Sequence, residues 1–211
     1  MIDLLASQLG RNDEVPNIEL ARMLYESENH DGISEIAEGL QSGNLAIAHD
    51  CIKVLYEIGR SKPALIAEYT DAFITALSSK SNRMVWGGMT ALAFVAPIKS
   101  DVLLLRLPEI IAAYKKGSTI TIDNSISVLA CLCKAGGDTK ELIFSLLCDH
   151  LTHCRAKDIP QHAERMAVCI DSDNKAIFVN VLQARMDELT DSQKSRVTKL
   201  IRRVEEQMGP L

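Results

Sequence analysis

LPEIIAAYKKGSTITIDNSISVLACLC, residues 107–133, reads as an apolar helix, a break at Gly117-Ser118, and a second apolar helix. The same layout recurs at a spacing of 37 residues: Ile33–Gly59 and Thr70–Ala96 lie upstream, Phe144–Ile170 downstream. One column shows the register, with Leu40, Leu77, Tyr114 and Leu151 all in phase. Self-similarity at such a period is the mark of a tandem array. One helix pair cannot bury its own apolar face, and stacking the next pair on it does.

The second helices carry the clearest pattern. Core slots at i, i+3, i+4, i+7, i+10 and i+11 hold Ala48, Cys51, Ile52, Leu55, Ile58 and Gly59 in the first full unit. They hold Val85, Gly88, Met89, Leu92, Val95 and Ala96 in the second, and Ile122, Ser125, Ile126, Leu129, Leu132 and Cys133 in the third. In the fourth they hold Ile159, His162, Ala163, Met166, Cys169 and Ile170. That is one helical face, repeated. Helix starts are expected at Asp31, Pro63, Ser100-Asp101 and Asp138. The hairpin turns are expected at Ser42-Gly43-Asn44, Ser78–Ser81, Gly117-Ser118 and Arg155–Asp158.

The two ends depart from the period. Residues 1–9 and 16–27 read as a shorter hairpin, with Pro16 in a first helical turn and Ile18, Ala21, Leu24 and Tyr25 as its inward set. A last unit opens near Asn174. Its final helix, Ser192–Gln207, is polar around a narrow seam of Val197, Leu200, Ile201 and Val204, capped by Asp191 and Ser192 and stopped by Gly209-Pro210. Terminal repeats with a solvated outer face behave this way. The expected architecture is therefore all-α: a right-handed α-solenoid of stacked antiparallel helix pairs. It is expected to be one domain over residues 1–211. Capping units occupy 1–32 and 181–211, and full repeats occupy 33–69, 70–106, 107–143 and 144–180.

Composition agrees. The chain is 47% hydrophobic but only 4% aromatic, which suits closely packed helices better than a sandwich. The net charge is -5, set by an acidic N-terminal part: residues 1–60 carry -7 and the rest +2. This argues against a general nucleic-acid binder. No apolar run is long enough to span a membrane, and the acidic start MIDLLASQLGRND does not read as a secretory signal. Cys51, Cys133, Cys148 and Cys169 fall in or beside core columns, as buried thiols do in a reducing cytosol, so a cytoplasmic location is expected.

A helix pair repeated at this period resembles the HEAT and armadillo class of repeats. NRMVWGGMTALAFVA, residues 82–96, looks like a HEAT second helix, and LPEIIAAY, residues 107–114, looks like a first helix with Pro108 where that helix often bends. The Asp-and-Arg ladder common in HEAT units is missing: its Arg slots hold His49, Trp86, Asp123 and Pro160, and its turn slots hold Gly43, Lys80, Gly117 and Cys154. The segments around Trp86, Thr119–Asn124 and Cys154–Glu164 are similar to small microbial HEAT-repeat proteins without established activity. The resemblance covers residues 30–190 and implies a fold more than a function.

Binding in such solenoids is expected on the second helices' outward slots. Those slots form columns of His49, Trp86, Asp123 and Pro160, then Asp50, Gly87, Asn124 and Gln161, then Lys53, Thr90, Ser127 and Glu164, with Arg83 one turn before Trp86. The candidate binding strip is therefore His49, Asp50, Lys53, Arg83, Trp86, Thr90, Asp123, Asn124, Ser127, Gln161 and Glu164. Trp and Arg anchor interfaces more than other residues do.

No catalytic signature is present: there is no phosphate loop, His-Glu-x-x-His or nucleophile elbow. The run Cys148–Cys154 has zinc-type donors, but on a helix only His150 and Cys154 share a face, so its spacing implies no metal site. His162, in a core column, reads as a hydrogen-bonded core histidine. The expectation is a non-enzymatic scaffold for a protein or peptide partner, without cofactor, metal or membrane. The alternative is a DNA-binding or DNA alkylation-repair glycosylase-like HEAT protein. Asp123 beside Trp86 loosely resembles the HEAT-like DNA alkylation-repair glycosylases, whose Arg-rich lining is sparse here.

Overall fold

The computed structural model describes residues 1–207, and among them there are twelve α-helices, short 3-10 segments and no strand. The Gly209-Pro210 stop lies outside the described residues. The chain resolves into two compact units, Met1–Ser125 and Ile126 onward, with the boundary inside one helix.

In the first unit a 3-10 turn at Ile2–Leu4 precedes α1 (Val15–Glu26), α2 (His30–Glu38), α3 (Leu45–Ser61), α4 (Thr70–Ala76), α5 (Asn82–Val95), α6 (Ser100–Leu105) and α7 (Leu107–Lys116). It ends within α8 (Thr119–Ala135). The long second helix α3 packs against α1 on one side and α5 on the other, and α4 packs on α5. In the second unit α9 (Lys140–His153) packs on α10 (Ile159–Met166) and α11 (Lys175–Ala184), and α12 (Asp191–Gln207) packs on both α10 and α11.

The repeat columns carry the core. Ile52, Leu55, Met89, Leu92, Ile126, Leu129, Ala163 and Met166 are all fully enclosed. Each large aliphatic among them contributes about 1.5–3 kcal/mol by leaving water. Val85 and Ile122 are half-buried. Each lies in the first turn of its helix, next to an open hairpin turn. In α7 Ile110 is enclosed, in register with Ile36, Phe73 and Leu147, and Ile111 is half-buried. In the last helix Val197, Leu200 and Val204 are enclosed, while Ile201, the fourth member of the expected seam, is half-buried.

Three departures have a local cause. First, the helix before the third hairpin breaks at Arg106, between α6 and α7. Pro108, in the first turn of α7, has no N–H to continue the α6 ladder. Arg106 spans the break, donating to Glu109 at 2.7 Å and to Asp71 at 3.1 Å. Second, in α1 it is Asn17, not Ile18, that faces inward. Asn17 is fully buried and Ile18 is 44% exposed. Asn17 accepts from the Ala6 amide at 3.0 Å and donates to Asp50 at 2.7 Å, so a polar tie overrides the apolar period. Third, α2 is capped by Asn29, whose side chain accepts from the Gly32 amide at 2.8 Å, and Asp31 lies in the first turn beyond it. The α9 start differs too: it follows Thr139 rather than Asp138, with no side-chain cap bond. Gly136 and Gly137, at φ 84° and 77°, make the left-handed exit from α8 that an L side chain would resist.

Candidate functional site

Helical spacing puts His49, Lys53 and Tyr56 of α3 on one stripe. The structure shows what this stripe touches. Lys53 Nζ lies 2.7 Å from Glu57 and 2.9 Å from Glu14, the residue before α1, and 4.8 Å above the Tyr56 ring. Burial pushes the ammonium down, but its bonds to Glu57 and Glu14 outweigh that and hold it above its ordinary value. Tyr56 meets Trp86 of α5, with ring centroids 5.8 Å apart at 53°. A tilted pair of this kind adds about 0.5–1.5 kcal/mol beyond its buried area. From Trp86 the line continues to Thr90, whose hydroxyl donates to the Trp86 carbonyl at 2.7 Å. Asn124 of α8 then donates from Nδ2 to Thr90 Oγ1 at 2.8 Å and to the Ile120 carbonyl at 3.1 Å. The first unit therefore carries a continuous line of contacts, one of them through the Trp86 backbone carbonyl, from Glu14 through Lys53, Tyr56, Trp86 and Thr90 to Asn124. It runs from the N-cap of α1 across α3, α5 and α8.

Trp86 is half-buried, with its ring tilted against Tyr56. Arg83, also half-buried, donates to Glu14 at 2.8 Å, while its Nε is enclosed without an acceptor among the described residues. His49 shares a hydrogen bond with Ser81 at 2.7 Å. Burial, and then the charge of Arg83, keep its imidazole below the ordinary value. Asp123 is half-buried on the same helix as Asn124.

Two members of the expected strip are corrected. Asp50 and Lys53 are each only 7% exposed, not open slots. Asp50 accepts from the Ser7 amide at 2.8 Å and from Asn17 at 2.7 Å, so it pins the N-terminal segment to α3. Lys53 is the hub of the ion pairs above. In the second unit Ser127 accepts from Arg165 at 2.6 Å and Glu164 pairs with Arg196 at 2.5 Å, so both are already engaged by neighbouring arginines, while Gln161 stays half-buried. Tyr56 and Glu14 were not in the expected strip. Tyr56 shares the i, i+4, i+7 spacing of His49 and Lys53, a signal that was there to be read. Glu14 lies outside the repeat register and could not be placed from it.

The second unit holds a different constellation. His162 of α10 is 2% exposed and its Nδ1 lies 2.8 Å from Nε2 of His150 on α9. Cys154, the residue closing α9, brings a third donor: the His150, Cys154 and His162 ligand atoms all lie within 4.8 Å of one another. The Cys148–Cys154 spacing alone could not show this cluster, because His162 comes from the next helix. Arg185, just past α11, holds the same corner. Its guanidinium donates to the carbonyls of Leu151, Thr152 and Cys154, at 2.7, 2.6 and 2.9 Å, and is paired with Glu188. It thereby satisfies the orphan carbonyls at the end of α9.

In fold the chain is similar to designed armadillo repeat proteins. One of them, in complex with the peptide (KR)4, superposes with a TM-score of 0.67 at 12% identity, over 88% of this chain and 85% of that one. A second designed armadillo repeat protein gives 0.63 at 12% identity, over 97% and 100% of the two chains. An engineered protein from a structural-genomics effort gives 0.64 at 16% identity, over 98% and 97%. Its fold is all-α and of the armadillo/HEAT-like helical-repeat type. At these identities the likeness is one of fold alone. No protein-family model matches the chain, and no curated protein matches it in sequence. None of the described helices is long and apolar enough to cross a membrane.

Proposed function

We propose that the protein is a non-enzymatic scaffold that binds a protein or an extended peptide along the second helices of its first unit. The observation that carries this reading is the line from Lys53 through Tyr56, Trp86 and Thr90 to Asn124. It sets a rigid, half-open tryptophan beside polar groups at repeat spacing. A ring fixed on one side by Tyr56 loses little freedom when a partner covers the other side, and such residues are common interface anchors. Asn124 spends its two N–H groups on Thr90 and Ile120, which leaves its Oδ1 to accept from a peptide amide.

The acidic balance of residues 1–60 favours a basic partner through long-range attraction. A fold neighbour was solved with the basic peptide (KR)4, which makes that peptide a sensible first probe. The test is a titration of (KR)4, and of peptides enriched from a random displayed library, into the wild type, Trp86→Ala and Asn124→Ala. Trp86, the single tryptophan, reports binding by its own emission. The expected result is saturable binding that shifts the emission and weakens at least about tenfold in Trp86→Ala, the loss of one interface anchor. Binding that is equally tight in Trp86→Ala would refute the reading. Salt-sensitive retention of DNA in place of peptide binding would favour a nucleic-acid partner instead.

A further inference from the structure

The His150–Cys154–His162 corner is not needed by the scaffold reading and lies outside the strip. Three donors of the types that bind borderline-soft ions come from α9, from its closing residue and from α10. Two nitrogens and one sulfur about a single zinc ion, at metal distances of about 2.0–2.3 Å, stand roughly 3.4–3.6 Å apart in a tetrahedron. Here the two ring nitrogens are 2.8 Å apart and the whole set lies within 4.8 Å. The rings need to part by roughly half an ångström and the thiol to close in by roughly one, within the reach of small side-chain rotations.

We propose that His150, Cys154 and His162 form a zinc-type metal site that staples α9 to α10, with a fourth position left for water or an external donor. Several features of the corner suit it. Cys154 is half-exposed, so an ion has a way in, while His162 is enclosed and holds the inner end. Arg185 does not compete as a donor. Its Nε is paired with Glu188, and its two terminal nitrogens go to three carbonyls and Glu188. Glu188 also offsets the guanidinium charge beside the ion. The nearby His153 takes no part: it is exposed and turned to Asp149.

The test uses the full chain, stripped with a chelator and titrated with Co²⁺ and then Zn²⁺. The expected result is one ion per chain, with Co²⁺ giving a thiolate-to-metal charge-transfer band in the near ultraviolet that Zn²⁺ erases. Cys154→Ser should lose the band and His162→Gln should bind at least about tenfold more weakly, since even outer-shell losses cost about 10–100-fold. His153→Gln should bind as the wild type does. Cys154 is half-exposed, so Cys154→Ser should keep its helical circular dichroism, and a lost band would report the ligand rather than the fold. Absence of stoichiometric binding in the wild type would overturn the proposal and leave a plain histidine–histidine hydrogen bond. Binding that persists with an unchanged spectrum in Cys154→Ser would overturn it equally.

Discussion

Gly88→Ala sets two effects of opposite sign against each other. Gly88 lies inside α5 in a core column, and alanine is the better helix former by about 1 kcal/mol. On propensity alone the substitution stabilises. The packing says otherwise. A Cβ at Gly88 would stand 2.9 Å from the Phe73 carbonyl oxygen of α4 and 3.0 Å from Ala76 Cβ. The first neighbour is backbone, fixed by the α4 ladder, and cannot swing away as a side-chain end can. Overpacking of this kind costs about 1–3 kcal/mol. The net expectation is a loss of about 1 kcal/mol, the midpoint of the clash less the propensity gain. Urea unfolding, followed by Trp86 emission and by circular dichroism, would measure it. Gly43→Ala is the control, since nothing lies within 4 Å of its added Cβ. A stability gain in Gly88→Ala with an unchanged m value would show that α4 and α5 are not in backbone contact there, and the packing argument would fall.

Leu92→Ala and Leu129→Ala remove fully enclosed side chains and should each cost about 2–5 kcal/mol in denaturant unfolding; a cost near zero would mean the phase of α5 or α8 is wrong. Toward a thiol reagent in the native state, Cys131 and Cys154, the two half-exposed cysteines, should label first. Cys51 and Cys148 should lag, because burial pushes their thiols up to about 12 and about 11, and rapid labelling of either in the folded state would contradict the structure. Acid should weaken the second unit. The Lys140 bond holds the Asp171 carboxyl below 3.8, and the Arg196 bond holds the Glu164 carboxyl below 4.5. With folded values below unfolded ones, this stability is complete above the unfolded values and is lost as pH falls through the folded ones. Melting temperature should therefore hold from neutrality to about pH 5 and drop below it, with each partly exposed pair contributing only about 0.2–1 kcal/mol. Glu164→Gln should flatten that acid limb, and an unaltered limb would assign the loss to other carboxylates.

Much of the fold can be read along the chain because burial on a helix is periodic. The slots holding Leu55, Leu92, Leu129 and Met166 recur in register, and each is enclosed. The apolar seam of α12 through Val197, Leu200 and Val204 follows from the same rule. What the pattern cannot carry is the identity of partners on other helices. Asn17 and Asp50 are polar residues whose burial depends on one another and on the Ser7 amide, so neither shows its role alone. Ile18 faces outward because that tie outweighs one apolar side chain. The corner of His150, Cys154 and His162 is set by how α9 and α10 meet, and Arg185 reaches it from 31 residues past Cys154. Distances between side chains on separate helices depend on helix crossing and on the turn between them. A one-dimensional period does not encode those quantities, and only the tertiary structure decides them.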